Sequence, residues 1–150
     1  MNATSTIVVG YDGSADSTAA VRWAAQLAGA IGARLRVVHA VGLLEHAGML
    51  NDRATVDGEV ARGIAAGAGG DPERIEWSVV DGDPCSALLR MTMPPESADL
   101  LVVGSRGSDA HEGSLLGSTS LELAERSVIP VTIVPQARDD DDDDDDYPPV

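Results

Sequence analysis

Apolar residues in this chain follow two kinds of spacing. One kind is the short run: Thr6 to Gly10 (TIVVG), Leu35 to Val41 (LRVVHAV), Ile75 to Val80 (IEWSVV), Ala98 to Gly104 (ADLLVVG) and Val131 to Val134 (VTIV). Runs of this length, rich in Val and Ile and closed by Gly, Asp or Pro, suit strands buried on both faces of a sheet. The other kind repeats every three or four residues. From Ser17 to about Gly32, residues Ala20, Trp23, Ala24, Leu27 and Ile31 fall on one stripe of a helix, with Trp23 expected in the core. Asp16 or Ser17 is expected to cap its start and Gly32 to stop it.

The remaining connections are less regular. Gly42 to Asp57 shows no clear period, and the Leu43-Leu44 pair and His46 are expected in a loop. A short helix is expected from Val56 to Ala68, weakened by Gly58, Gly63 and Gly67, because glycine disfavours helix interiors. Another should run from Pro84, in its allowed first-turn position, to about Met93, where Pro94-Pro95 breaks it. A last helix should present Leu121, Ala124 and Val128 to the core.

The order is therefore βαβαβαβαβ. Right-handed crossovers between doubly buried strands predict an α/β fold: an open, doubly wound, parallel five-stranded sheet with helices on both faces. This is Rossmann-like, with strand order 3-2-1-4-5. The first and fourth strands then flank the topological switch point, where ligands of such sheets sit beyond the strands' carboxyl ends. Asp12, in the turn Gly10-Tyr11-Asp12-Gly13-Ser14, reads as a turn former from its own segment. Its expected approach to the segment after Gly104 makes it a site candidate as well. His39, in the second strand, is expected to pack in or beside the sheet.

That segment is the richest in chemistry. Val102 to Ser120 reads VVGSRGSDAHEGSLLGSTS, a strand, a glycine-rich loop, three hydroxyl residues and a helix start. Glycines admit close approach of backbone N–H groups, and a helix N-terminus favours negative charge, so the combination predicts an anion site.

Charge and cysteine content then remove alternatives. The formal net charge is −15, with all of Asp139 to Asp146 acidic, which argues against a nucleic-acid partner. Cys85 is the only cysteine, so an intrachain disulfide or a cysteine-based zinc site is excluded. No apolar run reaches membrane-spanning length and no signal-peptide pattern is present, so the expectation is a cytoplasmic protein without a membrane partner. Residues 1–138 are expected to form one domain and 139–150 an acidic, disordered tail.

The chain resembles the universal stress protein family over nearly the whole of residues 5 to 136. IVVGYDGS is similar to the family's first strand and turn, SADLLVVGSRG to its fourth strand, and LLGSTSLELAERSVIPVTIVP to its closing helix and strand. Gly104, Gly107, Gly117 and Ser118 match the spacing of the family's ATP-binding branch: glycine, two residues, glycine, nine residues, glycine, then Ser or Thr. The resemblance implies that Gly10, Tyr11 and Asp12 border the nucleoside, with Asp12 near the ribose or the hydrated metal. It implies adenine against the backbone of Ala40. Val103, Gly104, Ser105, Arg106 and Gly107, with Gly117, Ser118, Thr119 and Ser120, would hold ribose and phosphates. It also implies a homodimer through Val131 to Val134. The short, glycine-rich second helix, the Pro94-Pro95 interruption and the Asp tail depart from the family pattern.

The loop offers amides and hydroxyls, no Walker lysine, and Arg106 as its single cation, so ATP is expected as a magnesium complex. No general base is clearly placed to activate water, and His111 and Glu112 read as a surface pair. The leading expectation is an ATP-binding regulatory module of the stress response, with slow or no hydrolysis. An ATP-using enzyme on a related scaffold and a nucleotide-free dimeric interaction protein remain as alternatives.

Overall fold

The computed structural model describes residues 4–41, 50–106 and 116–135. Five strands, β1 (Thr6–Gly10), β2 (Arg34–Val41), β3 (Ile75–Asp81), β4 (Leu100–Gly104) and β5 (Val131–Val134), form one sheet in the order β3-β2-β1-β4-β5. Every neighbouring pair is parallel. The expected fold and strand order are thus observed. Among the described residues, four helices fill the crossovers: α1 (Ala15–Ile31), α2 (Leu50–Gly67), α3 (Pro84–Arg90) and α4 (Ser118–Arg126). A 3-10 turn, Pro72–Arg74, leads into β3.

Strand residues alternate between two cores. Ile7 and Val9 of β1, Leu35 and Val37 of β2, and Val102 of β4 pack with α1 and α2 on one face. Val8, Val38, Leu101 and Val103 pack with Cys85 and Leu88 of α3 and Leu123 of α4 on the other. This alternation explains the unbroken apolar runs, since both pleat faces are covered.

Several local expectations are corrected. Trp23 is 36% exposed and Ile31 lies further out in solvent. The buried face of α1 is Ser17, Ala20, Val21, Ala24, Ala25 and Ala28, a stripe of small residues that seats the helix too close to the sheet for an indole. Its N-cap is Ser14, whose side chain accepts from the Ser17 N–H, rather than Asp16 or Ser17. Gly32 does end the helix, with φ 71°, a left-handed conformation that glycine adopts without penalty.

The second helix is not short: α2 spans 18 residues and starts at Leu50, ahead of the expected start at Val56. Gly58 has a packing role there, because a Cβ on it would stand 2.7 Å from Nε1 of Trp77. Helix α3 already ends at Arg90, so Pro94-Pro95 follows its end rather than breaking it. In α4 the buried residues are Ser120 and Leu123; Leu121 and Ala124 are exposed. Val128 lies past the helix end and is 85% exposed. Leu43, Leu44, His46 and the tail Asp139 to Asp146 fall outside the described residues.

Candidate functional site

The carboxyl ends of β1, β2 and β4 meet the N-terminus of α4 around a cavity of about 340 Å³. Parallel strands place their C-terminal turns at one edge, and the β1–β4 neighbourhood is the point where the strand order reverses. Gly10, Tyr11, Asp12, Ala40, Val103, Gly104, Arg106, Gly117, Ser118, Thr119 and Ser120 all line this cavity. Segments more than a hundred residues apart in sequence are therefore brought together as the sequence predicted.

The turn after β1 is tied to its surroundings. The Tyr11 N–H donates to the Val38 carbonyl at 2.9 Å, and its ring meets Trp77 edge-on at 6.1 Å. Asp12 performs its turn role, Oδ1 accepting from the Ser14 N–H at 2.9 Å, while also facing the cavity. His39 stacks on Trp77 with centroids 5.9 Å apart, and its Nδ1 is 2.8 Å from the Tyr11 carbonyl. A carbonyl can only accept, so Nδ1 carries the proton of this bond.

At the other wall, α4 starts with Gly117 as N-cap, φ −75°, with no side-chain cap hydrogen bond. The Leu121 N–H returns to the Gly117 carbonyl. The amides of Ser118, Thr119 and Ser120 are the first-turn donors that a helix cannot satisfy internally. Together with the helix dipole they form the anion-favouring end of the cavity.

Two expected residues have different duties. Ser105 does not line the cavity; it is buried and fully engaged. Its N–H donates to Val134, its Oγ donates to Asp16 Oδ2 at 2.9 Å, and its carbonyl accepts from the Gly117 N–H and the Ser120 hydroxyl. Ser120 lines the cavity, but its hydroxyl is directed to the Ser105 and Gly117 carbonyls, each at 3.0 Å. Gly107, His111 and Glu112 lie outside the described residues.

Ser17, Val38, His39, Pro84 and Leu88 also line the cavity, although the sequence reading gave none of them a place in the site. His39 was legible in principle, one residue before Ala40 at a strand end. Pro84 and Leu88 carry no motif, since α3 reaches the cavity only through the crossover.

Among the described residues, Arg106 is the one Lys or Arg side chain lining the cavity. It stays 40% exposed, with Nε 3.7 Å from Asp16 Oδ2. No group of three or more His, Cys, Asp or Glu that could hold a metal occurs among the described residues. Cys85 lies nearby in α3 but is buried. That burial, with Glu122 beside it, pushes its thiol up to about 11, so it is a protonated core residue near neutrality rather than a nucleophile. At the start of α3, the Ser86 N–H holds the Asp83 carboxyl below its usual value.

This is an open parallel α/β scaffold with a glycine- and hydroxyl-lined cleft at its switch point. The universal stress protein family model matches residues 4–135, and the chain belongs to that family. The universal stress protein Rv1636 of Mycobacterium tuberculosis is 37% identical over 148 residues, covering 89% of this chain and 98% of that protein. A universal stress protein crystallised in complex with cAMP superposes with a TM-score of 0.73 at 35% identity, covering 91% of this chain and all of the other. The crystal structure of Rv1636 gives a TM-score of 0.58 at 36% identity, covering 89% of this chain and 97% of that chain.

Proposed function

We propose that this chain binds an adenine nucleotide in the switch-point cavity and acts as a nucleotide-dependent regulatory module of the stress response. The observation that carries this reading is the meeting of three anion-attracting features in one cleft. These are the amides at the start of α4, the Arg106 side chain and the glycine-lined backbone at Gly104 and Gly117.

ATP is the first ligand proposed, arriving with Mg2+. The described residues provide no resident metal cluster, so the ion is carried by the phosphates and water, with Asp12 as the nearby carboxylate. Gly10, Tyr11, Asp12 and Ala40 take the nucleoside side; Val103, Gly104, Arg106, Gly107, Gly117, Ser118 and Thr119 take the ribose and phosphates. Ser105 and Ser120 fix the geometry of that wall. Slow or absent hydrolysis is part of this reading: His39, the imidazole among the described lining residues, stands beside Ala40 on the nucleoside side and not at the start of α4.

A second ligand, cAMP, is favoured by a specific observation. One lining arginine, shared with Asp16, balances a single negative charge better than the four of metal-free ATP. The 35% identical protein crystallised with cAMP supports this reading. The chain is further proposed to form a homodimer through β5, which ends the sheet, and to act in the cytoplasm. The acidic tail is assigned to solubility.

Mass spectrometry of nucleotide released from gently purified protein, followed by titration of ATP with and without Mg2+ and of cAMP, tests these assignments. Tight ATP binding that requires Mg2+ supports the first reading, and tighter metal-independent cAMP binding the second. No binding of either would overturn both.

A further inference from the structure

Asp16 has no place in the sequence motif, yet it is buried against the phosphate wall. Its side chain is 6% exposed. Oδ2 accepts from the Ser105 hydroxyl at 2.9 Å and from the Arg106 N–H at 2.8 Å, and stands 3.7 Å from Arg106 Nε. Gly104 makes this approach possible: a Cβ there would lie 2.6 Å from the Asp16 carbonyl carbon and 2.7 Å from its oxygen. Asp16 also occupies the first turn of α1, where the helix dipole stabilises a negative charge.

We propose that Asp16 is a positioning residue for Arg106, fixing both the backbone and the guanidinium of this cationic lining side chain so that it meets the ligand's phosphate. The inference rests on the nucleotide reading above and assigns a residue that does not itself touch the ligand. A long arginine side chain loses considerable rotamer freedom on binding. One already held at its backbone N–H and at Nε spends less of that freedom when a phosphate arrives. The same carboxylate orders Ser105, whose carbonyl holds the Gly117 N–H and the Ser120 hydroxyl. Both ends of the phosphate wall thus depend on one buried charge. Asp16 also moderates the cation it holds, which suits a ligand of low phosphate charge.

The test measures the phosphate increment, the ratio of AMP affinity to adenosine affinity, by calorimetry on the full chain. Wild type should bind AMP more tightly than adenosine. In Asp16→Ala the increment should fall by about tenfold, the scale of a charge-assisted hydrogen bond, with adenosine affinity kept. Arg106→Ala should cause a similar fall, and the double variant should add little to either. Asp16→Asn keeps an acceptor for Ser105 and the Arg106 N–H, so it should fold even where Asp16→Ala does not and show an intermediate increment. An unchanged increment in Asp16→Asn and Asp16→Ala, with a reduced one in Arg106→Ala, overturns the positioning role alone. Equal losses for AMP and adenosine in the Asp16 variants overturn it in favour of general loosening. A wild type without any increment overturns the nucleotide reading beneath it.

Discussion

Asp16 and Ser105, 89 residues apart, meet through a buried hydrogen bond of 2.9 Å between Oγ and Oδ2. This contact joins the first turn of α1 to the exit of β4. Because Ser105 also bonds to Val134, Gly117 and Ser120, one residue locks together α1, α4 and β5. The cavity wall is therefore set by a buried polar network whose members are all satisfied, the arrangement that gives such networks rigidity.

Gly104 and Gly117 should respond differently to the same methyl group. Gly104→Ala pushes a Cβ into the backbone of Asp16, and overpacking of this kind costs about 1–3 kcal/mol. Thermal or denaturant unfolding should record that loss without ligand. Gly117 has an ordinary φ of −75°, so Gly117→Ala meets no backbone strain and should lose only about 0.5–1 kcal/mol, the preference of an N-cap for glycine over alanine. Equal destabilisation by both would remove the packing role of Gly104.

Asp12 combines two roles that separate by substitution. Asp12→Asn keeps an acceptor for the Ser14 N–H, now at 2.9 Å, and should leave stability nearly unchanged while weakening binding of magnesium ATP. Asp12→Ala should weaken binding and also cost about 1 kcal/mol from the lost turn hydrogen bond. Full affinity in Asp12→Asn would return this residue to turn formation alone.

The sheet was legible because strands buried on both faces leave unbroken apolar runs, and the switch point follows from strand order. The Asp12, Gly104 and Gly117 neighbourhood was legible for the same reason. Trp23 was misplaced because periodicity marks a stripe without fixing its centre: Ala20 and Ala24 of the expected stripe are buried, and the helix seats on them together with Ala28 and not on Trp23. The Asp16–Ser105–Arg106 network was invisible because long-range side-chain pairing leaves no local spacing. Asp16 read naturally as a cap because Asp is common there, whereas Ser14 holds that position. In α2, the start at Leu50 was missed because the residues before Val56 show no clear apolar period, and the glycine at 58 that lowered the expected propensity is called for by packing against Trp77.

Cys85 gives a pH prediction. Its ordinary value of 9.0 rises to about 11 on folding, so the folded state holds the thiol proton more tightly than the unfolded chain. The associated stability is fully present below pH 9 and lost as pH rises towards 11. Wild type should lose stability relative to Cys85→Ala across that window, with a constant difference below it. Iodoacetamide at about pH 8, just below the unperturbed thiol pKa, should label native protein far more slowly than denatured protein. Rapid labelling of native protein would show the thiol to be accessible.

β5 ends the sheet with half-buried side chains, and an exposed edge of this kind invites pairing with a second copy. Sedimentation at tens of micromolar, roughly the range of weak self-association, should give a dimer. A well-folded monomer at that concentration would contradict the assembly through β5.

The central claim is that the cavity between β1, β4 and α4 is a nucleotide site. Calorimetric titration of wild type and Gly117→Ala with magnesium ATP and with cAMP tests it most directly. The account predicts saturable one-site binding of at least one of them to wild type. For that ligand it predicts at least tenfold weaker binding to a fully folded Gly117→Ala, about 1.4 kcal/mol. Equal affinity in the two proteins, or no binding to wild type, would contradict it.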